Sequence, residues 1–530
     1  MDGAGEHRRA SGRRRSPLLW IGSISLILVI VLTAVVAFEM HYAEAILRAR
    51  VIETLSTRFQ SRVTLSGFHV SVARELEVFG DGLNIYGKND LNIHQPGIQP
   101  LLTIQEFRFH TGLLDLLHTP MRVHVVYLKG LQLNIPAKEQ RQEAKAMRLE
   151  LGKIKIYVDQ FVCEQARLVI NTLRQDKLPL QFDIGNLIMK DLGPGQPLRF
   201  DATLLNPKPV GEIHSSGLVG PWQADAPRDL PVQGTYSFTN ADLATIKGIG
   251  GILSSTGKYQ GTLGRIAVDG ESDTPDFRVA VSGHLVPLHT DFHAIVDGTS
   301  GDTYLEPVKA RILNSFVTAK GYVERVEEPK GHRVYLDVQI ENSRIEDLLK
   351  MAVRTDPPVM TGKTRIWTKF DLQPGEADLA DRLKLTGNFQ ISGIHFTNDK
   401  VQTKVDALSM RSQGKPERAK EMLPEHMQSI MKGKFRMNKG TFWIPRVQFF
   451  VPGTEVDLTG KYSLDGKQFD FHGHARMDAK LSQMVGGWKS ILLKPVDPFF
   501  SKHGAGTEIP IKVTGTKSEP HFGLDFGHKK

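Results

Sequence analysis

The sequence predicts a mainly β protein in which an elongated, strongly twisted and curled antiparallel sheet forms an open hydrophobic groove, with few short helices and one N-terminal transmembrane helix. Three observations predict this fold class. Most of the chain alternates polar and apolar residues, which is the two-residue period of a half-buried strand. Glycine recurs between these alternating pieces, and one long apolar segment without charge stands near the start.

The glycine pattern is clearest in residues 251–270, GILSSTGKYQGTLGRIAVDG. Glycine has no Cβ and weakens any helix that contains it, so a helix is a poor interpretation here. The pieces between the glycines alternate and carry β-branched side chains, as in residues 265–269. We expect short strands joined by tight turns, in a coiled sheet that uses glycine to bend without steric cost.

The apolar segment runs from Leu18 to Phe38 and contains no charged residue. As a helix with a rise of ~1.5 Å per residue it spans about 32 Å, which matches a hydrocarbon core of about 30 Å. It predicts a single-pass anchor in the cell inner membrane. Five arginines precede it, so we expect the N-terminus in the cytoplasm and the bulk of the chain in the periplasm. The expected anchor residues are Leu18, Trp20, Ile27, Val31 and Phe38.

A cleaved signal peptide is the alternative interpretation of this segment. Ala43 and Ala45 offer the small-x-small pattern of a cleavage site. The apolar region of a signal peptide is usually shorter, up to roughly 15 residues. The length therefore favours an uncleaved anchor.

Net charge and cysteine usage exclude several kinds of partner and site. The formal net charge is +9, but the first 16 residues hold five arginines against two acidic residues, and the remaining charge is spread thinly. A nucleic-acid footprint needs basic residues concentrated on one face, so no nucleic-acid partner is expected. The single cysteine, Cys163, excludes an internal disulfide and a multi-thiolate zinc site, and it is predicted to be buried and inert.

Changes of pattern divide the chain into five regions. They are a basic cytoplasmic tail (residues 1–16), the transmembrane helix (17–38), an N-terminal β region (39–200), a central glycine-rich β-groove region (201–345) and a C-terminal β region with short helices (346–530). An amphipathic helix is predicted over residues 43–60, at the start of the N-terminal β region. Further helices are predicted over 343–353 and 415–431, the last one kinked at Pro424.

No stretch of the sequence carries a recognisable catalytic motif. Residues 362–364 resemble the end of a phosphate-binding loop, but Pro357 occupies the place of its first glycine, so they are interpreted as a surface turn. Asp269, Asp273 and Asp276 are assigned to a turn-rich loop, where aspartate is common for backbone reasons. A nucleophile elbow and a zinc-protease motif are both absent from the sequence. We therefore expect no enzyme, no catalytic residue and no cofactor.

Histidines form two groups that we considered as metal ligands. His284, His289 and His293 form the first group, and His472 and His474 form the second. The second pair would point to the same side of a strand. No third ligand stands at a characteristic spacing, so no metal site is expected.

The candidate binding site is the apolar face shared by several strands. The expected lipid-binding groove residues are Ile154, Ile156, Val158, Val334, Leu336, Val338, Leu383, Leu385, Phe389 and Ile391. The alternative is that this face packs against a second sheet or a helix as an ordinary core. The predicted helices are too few to cover roughly twenty strands, which at ~4.8 Å spacing extend about 100 Å. An open groove for acyl chains is therefore preferred, although one continuous groove and two separate grooves both stay open.

Three parts of the chain carry a resemblance to a known family. They are ILRARVIETLSTRFQSRVTLSGFHVSV with the following GLNIYG, the central LPVQGTYSFTNADLATIKGIGGILSSTGKYQGTLGRIAVDG, and the terminal VDPFFSKHGAGTEIPIKVTGTKSEPHFGLDF. Together they resemble the AsmA family of bacterial envelope proteins. The resemblance implies an inner-membrane-anchored, periplasmic, taco-shaped β-sheet related to the bridge-like lipid transfer proteins. It also implies a role in moving phospholipid toward the outer membrane or in maintaining the lipid balance of the envelope.

These observations favour a non-enzymatic lipid-binding and transfer protein whose partners are phospholipids and the inner membrane. The first alternative is a scaffold or assembly factor that offers sheet edges to outer-membrane or other envelope proteins by β-augmentation. The second alternative is an envelope hydrolase, which would need convergent carboxylates or a nucleophile with a base. The sequence marks neither arrangement.

Overall fold

The chain folds into two compact units in a computed structural model. Unit 1 comprises residues 1–149 and 162–179, and unit 2 comprises 150–161 and 180–530. Within these units the structure describes residues 45–53, 55–57, 61–72, 75–86, 100–112, 115, 121–135, 156–170, 180–193, 195–221, 227–298, 300–326, 331–417, 428–463, 469–485, 488–500, 506–516 and 520–525. These residues contain 26 strands and few helices, so the prediction of a mainly β protein is confirmed.

In its described residues, unit 1 is a mainly antiparallel sheet with a helix against it. Its strands are β1 (Val63–Thr64), β2 (Gly67–Val72), β3 (Leu76–Ile85), β4 (Leu102–Thr111), β5 (Met121–Lys129) and β6 (Gln132–Ile135), and β7 (Ile156–Ile170) contributes residues to both units. Strand β3 lies between β2 and β4, and β6 runs parallel to the end of β7.

The amphipathic helix predicted at the start of unit 1 is confirmed in residues 45–53 and 55–57. We label residues 45–53 α1. Val51 and Ile52 of α1 pack against a buried cluster that includes Phe68 and Phe107. Ile46, on the preceding turn, remains 61% exposed. Only the second half of α1 therefore contributes to the core of unit 1.

Unit 2 is a long antiparallel meander. Its strands are β8 (Leu180–Leu192), β9 (Leu198–Pro207), β10 (Val210–Val219), β11 (Pro231–Asp242), β12 (Ile249–Gly250), β13 (Ile252–Thr262), β14 (Arg265–Val279), β15 (Val286–Val296), β16 (Thr303–Ile312), β17 (Ser315–Val326), β18 (Gly331–Arg344), β19 (Met360–Leu372), β20 (Leu383–Phe396), β21 (Ile430–Asn438), β22 (Thr441–Val451), β23 (Thr454–Ser463), β24 (Phe469–Met477), β25 (Thr507–Gly515) and β26 (Pro520–Leu524). Each pairs with the next in chain order, except that short β12 pairs with β14 while β11 pairs directly with β13.

β-Bulges interrupt the ladders of unit 2 at many strand pairs. The register shifts between Phe238 and Ala241 in the β11–β13 pair, and between Phe292 and Ala294 in the β15–β16 pair. A bulge increases the local right-handed twist and bends the strand that carries it. These shifts supply the twist that the sequence analysis expected of the sheet.

Residues 251–270 contain fewer turns than the sequence analysis predicted. Strands β13 and β14 are 11 and 15 residues long and meet at a single tight turn at Leu263 and Gly264. The expectation of short strands joined by several turns is wrong here. A Cβ on Gly257 would lie 2.5 Å from the carbonyl oxygen of Asp269 and 2.6 Å from the ring of Tyr236. Close packing inside the sheet, rather than a turn, therefore requires this glycine.

The described part of unit 2 contains five α-helices. They are α2 (Ile345–Ala352), α3 (Leu379–Arg382), α4 (Asp399–Ser412), α5 (Trp488–Leu493) and α6 (Asp497–Phe500). Helix α2 confirms the helix predicted over residues 343–353. The helix predicted over 415–431 is wrong at both ends, because residues 415–417 lie beyond α4 and β21 begins at Ile430. Residues 418–427 of that prediction lie outside the described residues.

The helix that the sequence analysis missed, α4, begins where a side chain can cap it. The Asn398 side-chain oxygen accepts hydrogen bonds from the N–H groups of Lys400 and Val401 at 3.0 and 3.2 Å. Such a cap satisfies two donors that an α-helix leaves without an internal partner. In the sequence, the start of α4 is indicated by the capping residue Asn398 and not by a helical spacing of apolar residues.

Within the described residues, no helix is both long enough and apolar enough to cross a membrane. The expected anchor residues Leu18, Trp20, Ile27, Val31 and Phe38 lie outside the described residues.

Candidate functional site

Strands β17 to β22 of unit 2 have two chemically different faces. We define the apolar face as the side that carries Val317, Ile340, Ile366, Phe389 and Val447, and the polar face as the opposite side. The side chains on the polar face are mostly charged or amide-bearing and exposed. This alternation is the two-residue period on which the groove prediction was based.

Cross-strand register extends the apolar face from strand to strand. One row of directly opposed residues consists of Val317, Ile340, Ile366, Phe389, Gly433, Val447, Leu458, Gly473, Ile511 and Leu524. A second row consists of Gly321, Leu336, Phe370, Leu385, Met437, Phe442, Tyr462, Phe469 and Gly515. Neither row contains a charged side chain. The apolar face is thus an uninterrupted strip that crosses at least nine neighbouring strands.

The structure brings the predicted residues of β18 and β20 together on this strip. Leu336 of β18 and Leu385 of β20 both lie opposite Phe370 of the strand between them. Val334 and Leu383 lie in the same way on either side of Leu372. The third β18 residue, Val338, lies opposite Thr368, which in turn lies opposite Gly387. These side chains form one patch.

The three predicted residues near the start of unit 2 are placed differently. Val158 is buried on β7, with 8% of its surface exposed. Ile156 is the first residue of β7, and Ile154 lies outside the described residues. Strand β7 does not belong to the two rows defined above.

Strand β19 supplies groove residues that the sequence analysis did not select. Ile366, Phe370 and Leu372 connect the apolar residues of β18 with those of β20. Their period of two was visible in the sequence. Trp367, which lies between Ile366 and Phe370 in the sequence, points to the polar face. A large apolar residue on that face made it unclear from the sequence which face of β19 is apolar.

Most side chains along the strip are only partly buried. The three hydrophobic clusters in the described part of the chain contain no residue between 156 and 344. Two of them meet the strip. Leu458 and Ile511 of the first row pack against the cluster around Met477, and α2 brings Ile345 against Ile391 and Phe389. Ile391 is therefore packed beneath a helix, whereas Leu336, Val338 and Leu385 remain accessible in part.

Aromatic rings on the apolar face lie beside glycines of the neighbouring strand. Phe435 lies opposite Gly387, and Phe389 lies opposite Gly433. The centroids of the two rings are 6.3 Å apart. A Cβ on Gly433 would meet the Phe389 ring at 3.0 Å. Each ring thus covers the backbone of a glycine that has no side chain of its own, which shields that backbone from solvent.

Hydroxyl groups break the hydrocarbon character of the same face between β10 and β15. They are paired across strands: Ser215 with Tyr259 at 2.8 Å, Tyr236 with Ser255 at 3.1 Å, and Ser272 with Thr290 at 2.6 Å. Burial raises the pKa of the Tyr236 and Tyr259 phenols above 10.0, so both stay neutral. Because each of these hydroxyls has a partner, none of them is an unsatisfied polar group on this face.

The acidic residues assigned to a loop lie instead inside β14, so that interpretation is wrong. Asp269 and Asp273 lie on one face of the strand, opposite His293 and His289 of β15. Asp276 instead accepts a hydrogen bond from the N–H of Ile252 at 2.8 Å. His293 Nδ1 lies 2.7 Å from Asp269 Oδ1, and His289 Nδ1 lies 2.7 Å from Asp273 Oδ1. These are paired groups on the polar face.

Residues 362–364 lie within β19 and do not form a surface turn, so that interpretation is also wrong. Thr364 is 1% exposed. The N–H of Gly362 donates to the Glu346 carboxylate of α2 at 3.2 Å, where the register of β19 shifts. The glycine therefore marks a bulge.

Cysteine and histidine show no sign of a metal centre in the described residues. Cys163 is fully buried, as predicted, and burial raises the pKa of its thiol to about 11. His472 binds two carboxylates, Asp525 through Nδ1 at 2.8 Å and Asp470 through Nε2 at 2.9 Å, which raises its pKa above 6.5. Among the residues that the structure describes, no three or more His, Cys, Asp or Glu side chains are placed to hold a metal ion.

A depression of about 870 Å³ lies on the other side of the sheet, across β9 to β15. Its lining includes Leu218, Gln260, Arg265, His293 and Ile295, and none of the predicted groove residues. It is an open, mixed surface, unlike the strip of apolar side chains.

Comparison with known proteins assigns no relative to this chain. No protein-family model matches it, and no curated protein matches it.

Proposed function

We propose that this chain is a non-enzymatic lipid-binding protein that moves phospholipid along the apolar face of unit 2. The observation that carries the proposal is the continuity of that face: two uncharged rows cross at least nine strands while most of their side chains stay partly accessible. An ordinary core of this length would be covered by a second layer. Acyl chains are the occupants that such a strip fits.

The energetics of this proposal need no specific contact. Each CH₂ group of an acyl chain removed from water contributes about 0.8 kcal/mol, so a few methylenes per strand suffice for binding. The headgroup would remain in water at the margin of the strip. Low selectivity among acyl chains follows from the absence of charged or unpaired polar groups in the two rows.

The resemblance to the AsmA family supports the cellular side of the proposal. It implies a chain in the cell envelope that is anchored in the inner membrane by residues 17–38, with its bulk in the periplasm. Phospholipids and the inner membrane are then its partners, and the direction of movement would be toward the outer membrane.

Phospholipid bound to the purified full chain tests this proposal. In Val338→Asp a carboxylate enters the strip between Ala319 and Thr368, and an unpaired charge in an apolar path costs several kcal/mol. We expect this variant to carry less phospholipid per chain by mass spectrometry. The matched control is Gln339→Asp, which places the same charge on the polar face and should retain wild-type phospholipid. Equal phospholipid in both folded variants would contradict the proposal.

One observation favours a second function, that of a scaffold for envelope proteins. Among the described strands, β26 pairs only with β25, and Leu524 on it is 47% exposed. An unpaired strand edge can accept a further strand from a client. Stoichiometric recovery of a client protein with a lipid-free chain would favour this function over lipid transfer.

A further inference from the structure

The polar face of unit 2 carries a concentration of cations that is not apparent in the linear sequence. Strand β21 presents Lys432, Lys434 and Arg436 on this face, and all three are exposed. Strand β19 adds Arg365 and Lys369, also exposed. We call these five residues the cationic patch.

Strand β20 separates the two columns of cations with uncharged polar side chains. Read across the three strands, the rows are Arg365, Gln390 and Lys432; Trp367, Asn388 and Lys434; and Lys369, Thr386 and Arg436. Neighbouring strands are ~4.8 Å apart, so the two columns of cations stand about 10 Å apart. The amides and hydroxyl between them are hydrogen-bonding groups without charge.

Several cations elsewhere on the same face lie directly opposite a carboxylate. These pairs are Lys258 with Asp269, Lys309 with Asp291 and Lys320 with Asp337, and Asp337 also lies opposite Lys369 of the patch. The three cations of β21 have no such partner. Their β20 neighbours are neutral, and no carboxylate of a described residue forms an ion pair with them.

The other neighbour of β21, strand β22, carries no carboxylate that could pair with these cations. Arg446 of β22 lies opposite Lys434 and is held by Asp457 through bonds of 2.9 and 3.3 Å. Like charges directly opposite in a sheet are destabilising. An external anion at the cationic patch would relieve this repulsion.

Two exposed tryptophans beside these cations indicate that the anion is a lipid headgroup. Trp367 on β19 is 37% exposed, and Trp443, opposite Arg436, is 45% exposed. A depression of about 660 Å³ beside Trp443 is lined also by Arg436, Lys461, Asp470 and His472. Indoles next to lysine and arginine are typical of the membrane–water interface, where the ring lies at the level of the headgroups. The patch lies on a sheet face without a groove that would follow a nucleic-acid strand.

We propose that the cationic patch docks unit 2 on the surface of a bilayer that contains anionic phospholipid. The binding is electrostatic, with the two tryptophans placed at headgroup depth. This proposal does not rest on lipid in the apolar strip, because the two surfaces lie on opposite faces of the sheet. It gives unit 2 a membrane contact in addition to the expected anchor.

Vesicle capture by the full chain tests the docking surface. The chain is held in nanodiscs of phosphatidylcholine on a sensor surface, and vesicles of phosphatidylcholine with or without phosphatidylglycerol are passed over it. We expect capture of the anionic vesicles alone, and loss of that capture at high salt because the charges are solvent-exposed. The triple variant Lys432→Gln, Lys434→Gln, Arg436→Gln should bind roughly a hundredfold more weakly, at about fivefold per cation.

The matched control removes three cations of the same face that have carboxylate neighbours: Lys258→Gln, Lys309→Gln, Lys320→Gln. It should capture anionic vesicles like the wild type, and so should Val338→Asp, which alters only the apolar strip. Equal loss in the patch and control variants, or equal capture of neutral vesicles by the wild type, would overturn the proposal. Failure to capture anionic vesicles together with binding of a labelled acidic peptide or oligonucleotide would also overturn it. If amide exchange shows that the patch variant has lost structure in β19–β22, the wild-type protein alone tests the proposal. Capture of anionic vesicles that persists at high salt would then contradict it.

Discussion

Single residues on the polar face are held mainly by opposed charges. His472 is the most constrained example, because each of its ring nitrogens contacts a carboxylate and both must therefore carry protons. One of the two carboxylates, Asp525, follows β26 directly, so the charged imidazole ties the last described strand to β24. Lys512 of β25 lies opposite His472 and adds a positive charge beside it.

This arrangement predicts a pH-dependent attachment of β26. The hydrogen bonds to Asp525 and then Asp470 raise the pKa of His472 in the folded state above 6.5. A raised pKa gives stability that is fully present below the unfolded value of about 6.5 and is lost as the pH rises through the folded value. We expect His472→Gln to increase amide exchange in residues 520–525 about twofold to fivefold near pH 6, in line with an exposed ion pair, and to leave it unchanged near pH 9.

The control for this prediction is His474→Gln, which lies on the same strand and face but opposite Asp457. It should leave the exchange of β26 unchanged at either pH. An effect of His472→Gln that has the same size at both pH values would show that the imidazole acts through packing rather than charge.

Pairs of aromatic and glycine residues organise the strands as elements. Gly387 lies on the apolar face, where a Cβ would collide with the Trp367 carbonyl oxygen and approach the Phe435 ring to 2.9 Å. We expect Gly387→Ala to lower the free energy of local opening of β19–β21 by about 1–3 kcal/mol, as overpacking does, measured by amide hydrogen exchange.

Gly185→Ala is the matched change for this test. The nearest atom to a Cβ there is the Thr203 carbonyl oxygen at 3.7 Å, so alanine fits without displacement. It should leave the exchange of β8 and β9 at wild-type rates. Similar destabilisation by both substitutions would mean that strand glycine acts through flexibility, and the close-packing account would fail.

The elements could be predicted from sequence where a single segment determines them. The period of two in residues 334–340 identified the apolar side of β18, and the helical spacing of residues 343–353 identified α2. Helix α4 was missed because its boundary depends on the Asn398 cap. The prediction for residues 251–270 contains too many turns. The sequence of one strand does not distinguish a glycine in a turn from a glycine that close packing against the neighbouring strand requires.

The arrangement of unit 2 depends on the pairing register between neighbouring strands, which the sequence of a single strand does not determine. Register places Phe370 between Leu336 and Leu385, and it places Lys434 opposite Arg446. Cations that are separated in the sequence are therefore brought together on β19 and β21. The patch of predicted residues on β18 and β20 could be anticipated, whereas its continuation through β19 and the cationic patch behind it could not.

The central claim about the molecule is that lipid occupies one face of the sheet in unit 2. The most direct measurement is photo-crosslinking in cells with p-benzoylphenylalanine placed in the full chain at Val338, on the apolar strip, or at Gln339, on the polar face. The two sites differ by one residue, so expression level and distance from the N-terminal segment are matched. Phospholipid adducts, identified by mass spectrometry, are expected at Val338 and not at Gln339. Adducts in equal amount at both sites, or at neither, would contradict the account.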